Sequence, residues 1–325
     1  MNPVTSTHAA FPPTESLVRA LTVAFDCSEA ECVTVLDRRP NTYASTYASE
    51  IVTCLMSDSN EIRLFCKYGS RPHDTVYGHR AGVPYEAAVY EQVLRSCPMS
   101  ALHLYGEYRH PNSDETWLFL EYLDDGVWVD KTLEKGSMEL AARWLGRFHT
   151  LNEARASRDA LAFLKRYDLD FYLGWARRTA KFAAGLHFRV PWLVNVCAEF
   201  EDLASCLVDS PPTVIHGEFY PQNILYQRQT VYPVDWESAA TAAGEIDLAS
   251  LTEDWSRDIA QQLEREYINT RWPCGAPGHF HQMLKIARMY TQFRWLGDRP
   301  EWTTDGHCLW RFEALRAAAD ELGLI

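Results

Sequence analysis

One stretch restricts this chain more than any other: Val214-Ile-His-Gly-Glu-Phe-Tyr-Pro-Gln-Asn-Ile-Leu225, followed by Val231-Tyr-Pro-Val-Asp-Trp-Glu237. It sets a carboxylate (Glu218), an amide (Asn223) and a second carboxylate (Asp235) into a short strand–loop–strand, each bracketed by apolar residues. His216-Gly217 permits a tight turn after the strand Thr213-Val-Ile215, so Glu218 points into the mouth of that turn. Asn223 offers an amide oxygen, a hard ligand suited to magnesium. Ile224-Leu225 resumes a strand, Val231–Val234 is its hairpin partner, and Asp235 ends it. Adjacent strands bring Asn223 near Asp235, a layout expected where a metal-bound phosphate is handled.

The rest of the chain reads as two regions of different character. Ser16 to Phe25 carries Leu17, Ala20, Leu21 and Ala24 on one helical face. Val33–Leu36, Ile51–Met56 and Ile62–Lys67 are strands joined by short polar segments, an antiparallel meander. Tyr85 to Leu94 is helical and stops at Cys97-Pro98. Ala101–Tyr105 and Thr116–Leu123 are two more strands, and Asp124-Asp-Gly126 is a turn. Helical periodicity then takes over in Glu139–Thr150, Leu161–Leu186, Pro191–Leu207, Asp247–Leu263, His279–Leu296 and Leu309–Leu322. Beta-rich first and alpha-rich second is an α+β, two-lobed architecture. The expected division is a tail over 1–13, an N-lobe over 14–123 and a helical C-lobe over 124–325.

The formal charge is −13. A broad basic face, needed for nucleic acid or an anionic membrane, is not expected from such a balance. Nine cysteines without a CxxC pair suggest reduced thiols rather than a zinc site. With no basic, apolar leader and no stretch of membrane-spanning length, the expected location is cytoplasmic.

His-Gly-Glu-Phe-Tyr-Pro-Gln-Asn-Ile-Leu closely resembles the catalytic loop of the aminoglycoside phosphotransferase and choline kinase superfamily, whose usual form is His-Gly-Asp, four residues, then Asn. Val-Asp-Trp-Glu resembles its metal-binding segment, and Gly244-Glu-Ile-Asp-Leu-Ala249 the segment that follows. The resemblance implies a protein-kinase-like fold, ATP (or GTP), Mg²⁺ and a small-molecule alcohol as phosphate acceptor. It implies a strand lysine for the α/β phosphates and a helix glutamate to hold it, and Lys67 and Glu86 stand in that order. Phe119-Leu-Glu-Tyr-Leu123 fits the adenine-binding connection, which puts Glu121 and Leu123 beside the nucleotide. Leu145-Gly-Arg-Phe-His149 resembles the end of the family's first large-lobe helix. On this footing Asn223 and Asp235 are the metal ligands and Glu218 aligns or deprotonates the acceptor hydroxyl. His216 is structural, His149 is packed, and Asp247 braces the catalytic loop.

Two departures stand out. The phosphate loop, Asn41 to Ser49, is not glycine-rich; Ser45 and Thr46 would cap phosphates through small hydroxyls and backbone N–H groups. Glu218 stands where the family has Asp, and the added methylene shifts the carboxylate. An active variant and a nucleotide-binding pseudokinase both follow from that change. For the acceptor, Glu245, Glu253, Asp254, Asp258, Glu264 and Glu266, interleaved with Trp255 and Tyr267, offer ion pairing and cation–π contact to a polyamine or quaternary amine. The same carboxylates also fit solvated helix faces, and an antibiotic, an amino alcohol and a sugar all remain open.

Overall fold

The computed structural model describes residues 11–26, 32–43, 46–70, 77–157, 159–304 and 308–325. The chain divides into two compact units. One comprises Met1–Asp74 and Arg80–Gly126, the other Thr75–His79 and Val127–Ile325.

The first unit begins with α1 (Thr14–Ala24), followed by β1 (Val33–Pro40), β2 (Ala48–Met56) and β3 (Glu61–Gly69). Then come α2 (Val83–Val89), which continues as a π-helical turn over Tyr90–Leu94, β4 (Leu104–Arg109) and β5 (Thr116–Glu121). The five strands form one antiparallel sheet in the order β1-β2-β3-β5-β4. Alternation does the sorting. Val52, Cys54, Leu64 and Cys66 are buried with Leu17, Ala20 and Leu21 of α1 in one apolar cluster, while Arg63 and Glu61 on the same strand are exposed. Burial of the Cys54 thiol pushes its pKa up to about 12. Cys32, expected to be a free thiol, is disulfide-bonded. Cys54, Cys66, Cys197, Cys206 and Cys274 carry no disulfide.

The second unit is helical with short strands between. Its elements are β6 (Val127–Trp128), α3 (Ser137–Glu153), β7 (Lys165–Arg166), α4 (Leu169–Phe182), α5 (Leu193–Asp209), β8 (Thr213–Ile215), β9 (Ile224–Gln227), β10 (Thr230–Pro233) and β11 (Ala240–Ala242). It closes with α6 (Glu245–Leu251), α7 (Arg257–Arg271), α8 (Phe280–Leu296), α9 (Pro300–Thr304) and α10 (Leu309–Glu321). β9 and β10 make the expected hairpin, with Tyr232 opposite Leu225 and Pro233 opposite Ile224. Two helical expectations break. Leu161–Leu186 is interrupted because Lys165-Arg166 pairs in parallel with β11. Asp168 then starts α4 afresh, its Oδ1 accepting from Phe171 N at 2.8 Å. Asp247–Leu263 divides at Asp254, whose φ of 64° is left-handed and cannot continue a helix. Among the described residues no helix is long and apolar enough to cross a membrane.

Candidate active site

In the first unit, β3 and α2 present a buried ion pair. Lys67 Nζ lies 2.7 Å from Glu86 Oε2, with both side chains almost wholly enclosed. Two charges so placed hold each other where either alone would be costly. Glu86 lies in the first turn of α2, while Glu91, further along the same helical stretch, is exposed and pairs with Arg95. Tyr47, unremarked in the sequence, lies with its ring centroid 5.7 Å from Lys67 Nζ. Thr46 beside it is exposed, and Ser45 lies outside the described residues. Glu121 ends β5 and accepts from His103 N at 3.1 Å. Leu123 is buried, with its carbonyl accepting from Gly126 N at 3.1 Å.

In the second unit the loop after β8 is built on buried polar anchors. Asp247, fully enclosed on α6, accepts from His216 N at 2.6 Å and Gly217 N at 2.8 Å. His216 Nδ1 accepts from Glu218 N at 3.3 Å, and Nε2 meets the Val234 carbonyl at 2.9 Å. That pattern assigns the Nε2–H tautomer and ties the loop to the segment entering Asp235. Gly217 has φ +83°, and a Cβ there would fall 2.2 Å from the Ser238 carbonyl oxygen, so the position excludes any side chain. A Cβ on Gly244 would meet Arg271 and His149 below 3 Å.

Asn223 and Asp235 flank one rung of backbone, since Val234 N donates to Asn223 O at 2.9 Å. Asn223 Nδ2 donates to Glu218 O at 3.0 Å, which leaves the amide oxygen as the atom able to face a cation. Asp235 follows β10 in left-handed backbone, φ 65° and ψ 59°. A non-glycine residue rarely adopts that conformation, and such outliers gather at functional sites. Among the described residues no group of three or more His, Cys, Asp or Glu could hold a metal alone. One amide and one carboxylate oxygen nonetheless suit magnesium, which keeps water and phosphate in its octahedron.

Glu218 is 3% exposed. Its Oε1 faces two basic side chains, Arg294 Nη1 at 3.2 Å and His79 Nε2 at 3.4 Å, while Oε2 receives Ser238 Oγ at 3.4 Å. None of these partners was visible from the sequence. Arg294 lies on α8, 76 positions away, and no spacing rule links a loop carboxylate to a helix that distant. The acidic region expected to receive a cation is mostly neutralised. Glu253 pairs with Arg311, Glu264 with Arg288, Glu266 with Arg143 and Glu245 with Arg271. Asp254 and Asp258 are exposed. A cleft of about 260 Å³ lies along α8 and α10, lined by Asp254, Lys285, Arg288 and Trp310 among others. Its lining carries both signs of charge.

His149 gives the site a pH limit. Its Nε2 lies 3.3 Å from Asp247 Oδ2 and its Nδ1 2.9 Å from Tyr267 Oη. Burial depresses its pKa from 6.5 to about 4, against the opposing hydrogen bond to Asp247. The neutral ring is thus the folded form, and acid favours the unfolded chain, which takes up the proton more readily. Stability is fully present above pH 6.5 and declines as pH falls towards 4. At about 1.4 kcal/mol per pH unit the loss is about 3 kcal/mol. Urea unfolding at pH 7.5 and pH 4.5 should show this slope, and His149→Gln should flatten it.

Residues 71–277 match the model of APH, the phosphotransferase enzyme family. The chain belongs to that phosphotransferase enzyme family. Solved structures share the fold. Choline kinase from Streptococcus pneumoniae matches over 88% of this chain and 94% of its own, with TM-score 0.58 and 15% identity. A choline kinase from Cryptosporidium parvum Iowa II matches over 96% and 98%, with TM-score 0.61 and 9% identity. APH(2'')-IIa, in its ternary complex with streptomycin and ATP, matches over 95% and 99%, with TM-score 0.58 and 11% identity. No curated protein matches the sequence.

Proposed function

We propose that the protein transfers the γ-phosphoryl group of ATP, with magnesium, to a hydroxyl of a small molecule. The observation that carries this reading is the loop braced by Asp247, which holds Glu218 and Asn223 in fixed relation to the strand end bearing Asp235. Asn223 and Asp235 would hold the metal, whose chemistry is to neutralise phosphate charge. Lys67, held by Glu86, would meet the α and β phosphates. Glu121 and Leu123 lie on the segment that would border the base, and Thr46 and Ser45 on the one that would cover the phosphates.

The acceptor hydroxyl oxygen attacks the γ-phosphorus, its proton passes to the Glu218 carboxylate, and the bond from phosphorus to the bridging β,γ-oxygen breaks, releasing ADP. Arg294 and His79 crowd Oε1, so Oε2 is the oxygen that receives the hydroxyl. Most of the acceleration comes from position and charge, because phosphoryl transfer has a loose transition state.

Lys67→Met keeps the side chain's bulk, removes its charge and breaks the ion pair with Glu86. We expect kcat/KM for ATP to fall about 100-fold, the value of one lost charge-assisted phosphate contact. Transfer from γ-labelled ATP to a panel of alcohols measures it. Nucleotide bound in calorimetry without turnover on any alcohol would support the pseudokinase reading instead.

A further inference from the structure

Tyr220 stands two residues after Glu218, and its hydroxyl is bonded in a one-sided way. Arg294 Nη2 and Trp295 Nε1 both reach Tyr220 Oη at 2.8 Å. Guanidinium and indole nitrogens only donate, so both lone pairs of the phenol oxygen are taken by incoming protons. The phenol's own proton finds no acceptor among the described residues. Burial raises the pKa of the phenol, against the opposing charge of Arg294, so it keeps that proton at neutral pH. The residue is nevertheless part-exposed.

The geometry also couples this donor to Glu218. One guanidinium gives Nη1 to Glu218 Oε1 at 3.2 Å and Nη2 to Tyr220 Oη at 2.8 Å. Because guanidinium is planar and rigid, carboxylate and phenol are held side by side. The support is itself braced. The guanidinium carbons of Arg294 and Arg311 lie 4.2 Å and 4.3 Å from the Trp295 ring centroid, and Arg311 Nη1 is fixed by Glu253 at 2.9 Å and Gln292 at 3.0 Å. Two oriented groups result, one accepting a proton and one offering a proton.

We propose that Tyr220 is a specificity-determining residue that donates its O–H to an oxygen of the acceptor, on the carbon adjoining the hydroxyl received by Glu218. Arg294 is the positioning residue that sets the two groups in register. This rests on the reading of Glu218 as the acceptor-facing carboxylate. Its chemical consequence is selective. A polyol or other acceptor with neighbouring oxygens satisfies both groups. An amino alcohol presents an ammonium there, which can only donate and leaves the Tyr220 proton unpaired.

The test uses the full chain with magnesium-ATP and a panel of glucose, its single-deoxy analogues, ribitol, kanamycin, ethanolamine and choline. Wild type is expected to favour glucose over one deoxy analogue by about tenfold in kcat/KM, the scale of one neutral hydrogen bond. In Tyr220→Phe that ratio should collapse to about one, with the calorimetric Kd for magnesium-ATP unchanged. Loss of stability alone would lower both rates and leave the ratio intact. If Tyr220→Phe does not fold, Trp295→Phe, which removes one donor to the hydroxyl, should shrink the same ratio. An undiminished ratio in the variant that folds overturns the proposal, as does preference for ethanolamine or choline over every polyol. Nucleotide binding with no panel member phosphorylated overturns the assigned acceptor class. Failure to bind nucleotide at all instead sinks the kinase reading beneath it.

Discussion

Asp235→Ala should abolish phosphoryl transfer, lowering kcat by at least about 1,000-fold, the scale on which metal-held charge stabilises such a reaction. Asp235 is the carboxylate that follows β10, next to the backbone rung from Val234 N to Asn223 O. Replacing it leaves one neutral amide oxygen, too little to hold magnesium against a triphosphate. Asp235→Asn should fail almost as badly, because it keeps shape and hydrogen bonding but loses the charge. Both variants should stay folded, since Asp235 is only part-buried. Alanine at φ 65° adds about 1 kcal/mol of backbone cost, visible as a small drop in Tm. Transfer from labelled ATP and calorimetry with magnesium-ATP measure the two losses. Asp235→Ala activity within tenfold of wild type would remove Asp235 from the metal site.

Asp247→Ala should destabilise the second unit by about 3–5 kcal/mol, as expected when buried backbone donors lose a charged acceptor. The carboxylate is fully enclosed and receives His216 N, Gly217 N and the His149 ring. Gly217 cannot swing away, because its backbone packs against the Ser238 carbonyl. Asp247→Asn retains one acceptor oxygen and should lose about half as much. Urea unfolding with linear extrapolation separates the two variants. Activity should fall with stability in Asp247→Ala, because the segment carrying Glu218 hangs from the same bonds. An Asp247→Ala protein as stable as wild type would show that the loop is held by something else.

Much of the fold was legible because each unit's sequence carries its own period. The strands around Val52, Cys54, Leu64 and Cys66 alternate, and the sheet formed where alternation placed it. The helical stripe of α3, with Ala141, Leu145 and Phe148 buried, appeared likewise. Misjudgement came where local pattern met a distant partner. Lys165-Arg166 lies within a plausible helical run, yet it pairs with β11. Asp254 adopts left-handed backbone inside a run that periodicity alone would continue.

By itself the sequence determined the order of the polar groups. A turn that only glycine can make carries Glu218, a short loop sets Asn223, and a hairpin returns the chain to Asp235. These are local consequences of spacing and backbone sterics, so a linear string is enough to state them. The resemblance carried by those motifs also supplied Lys67 and Glu86 as candidates, in the order it implies. Only the tertiary structure decided what surrounds Glu218. His79, Arg294 and Ser238 reach it from separate segments, and Arg294 also holds Tyr220. The tertiary structure likewise turned an acidic stretch into a set of arginine-paired carboxylates. The physical reason is the same in both cases. A charge buried in a folded protein needs an opposite partner, and packing, not sequence distance, determines which partner it finds.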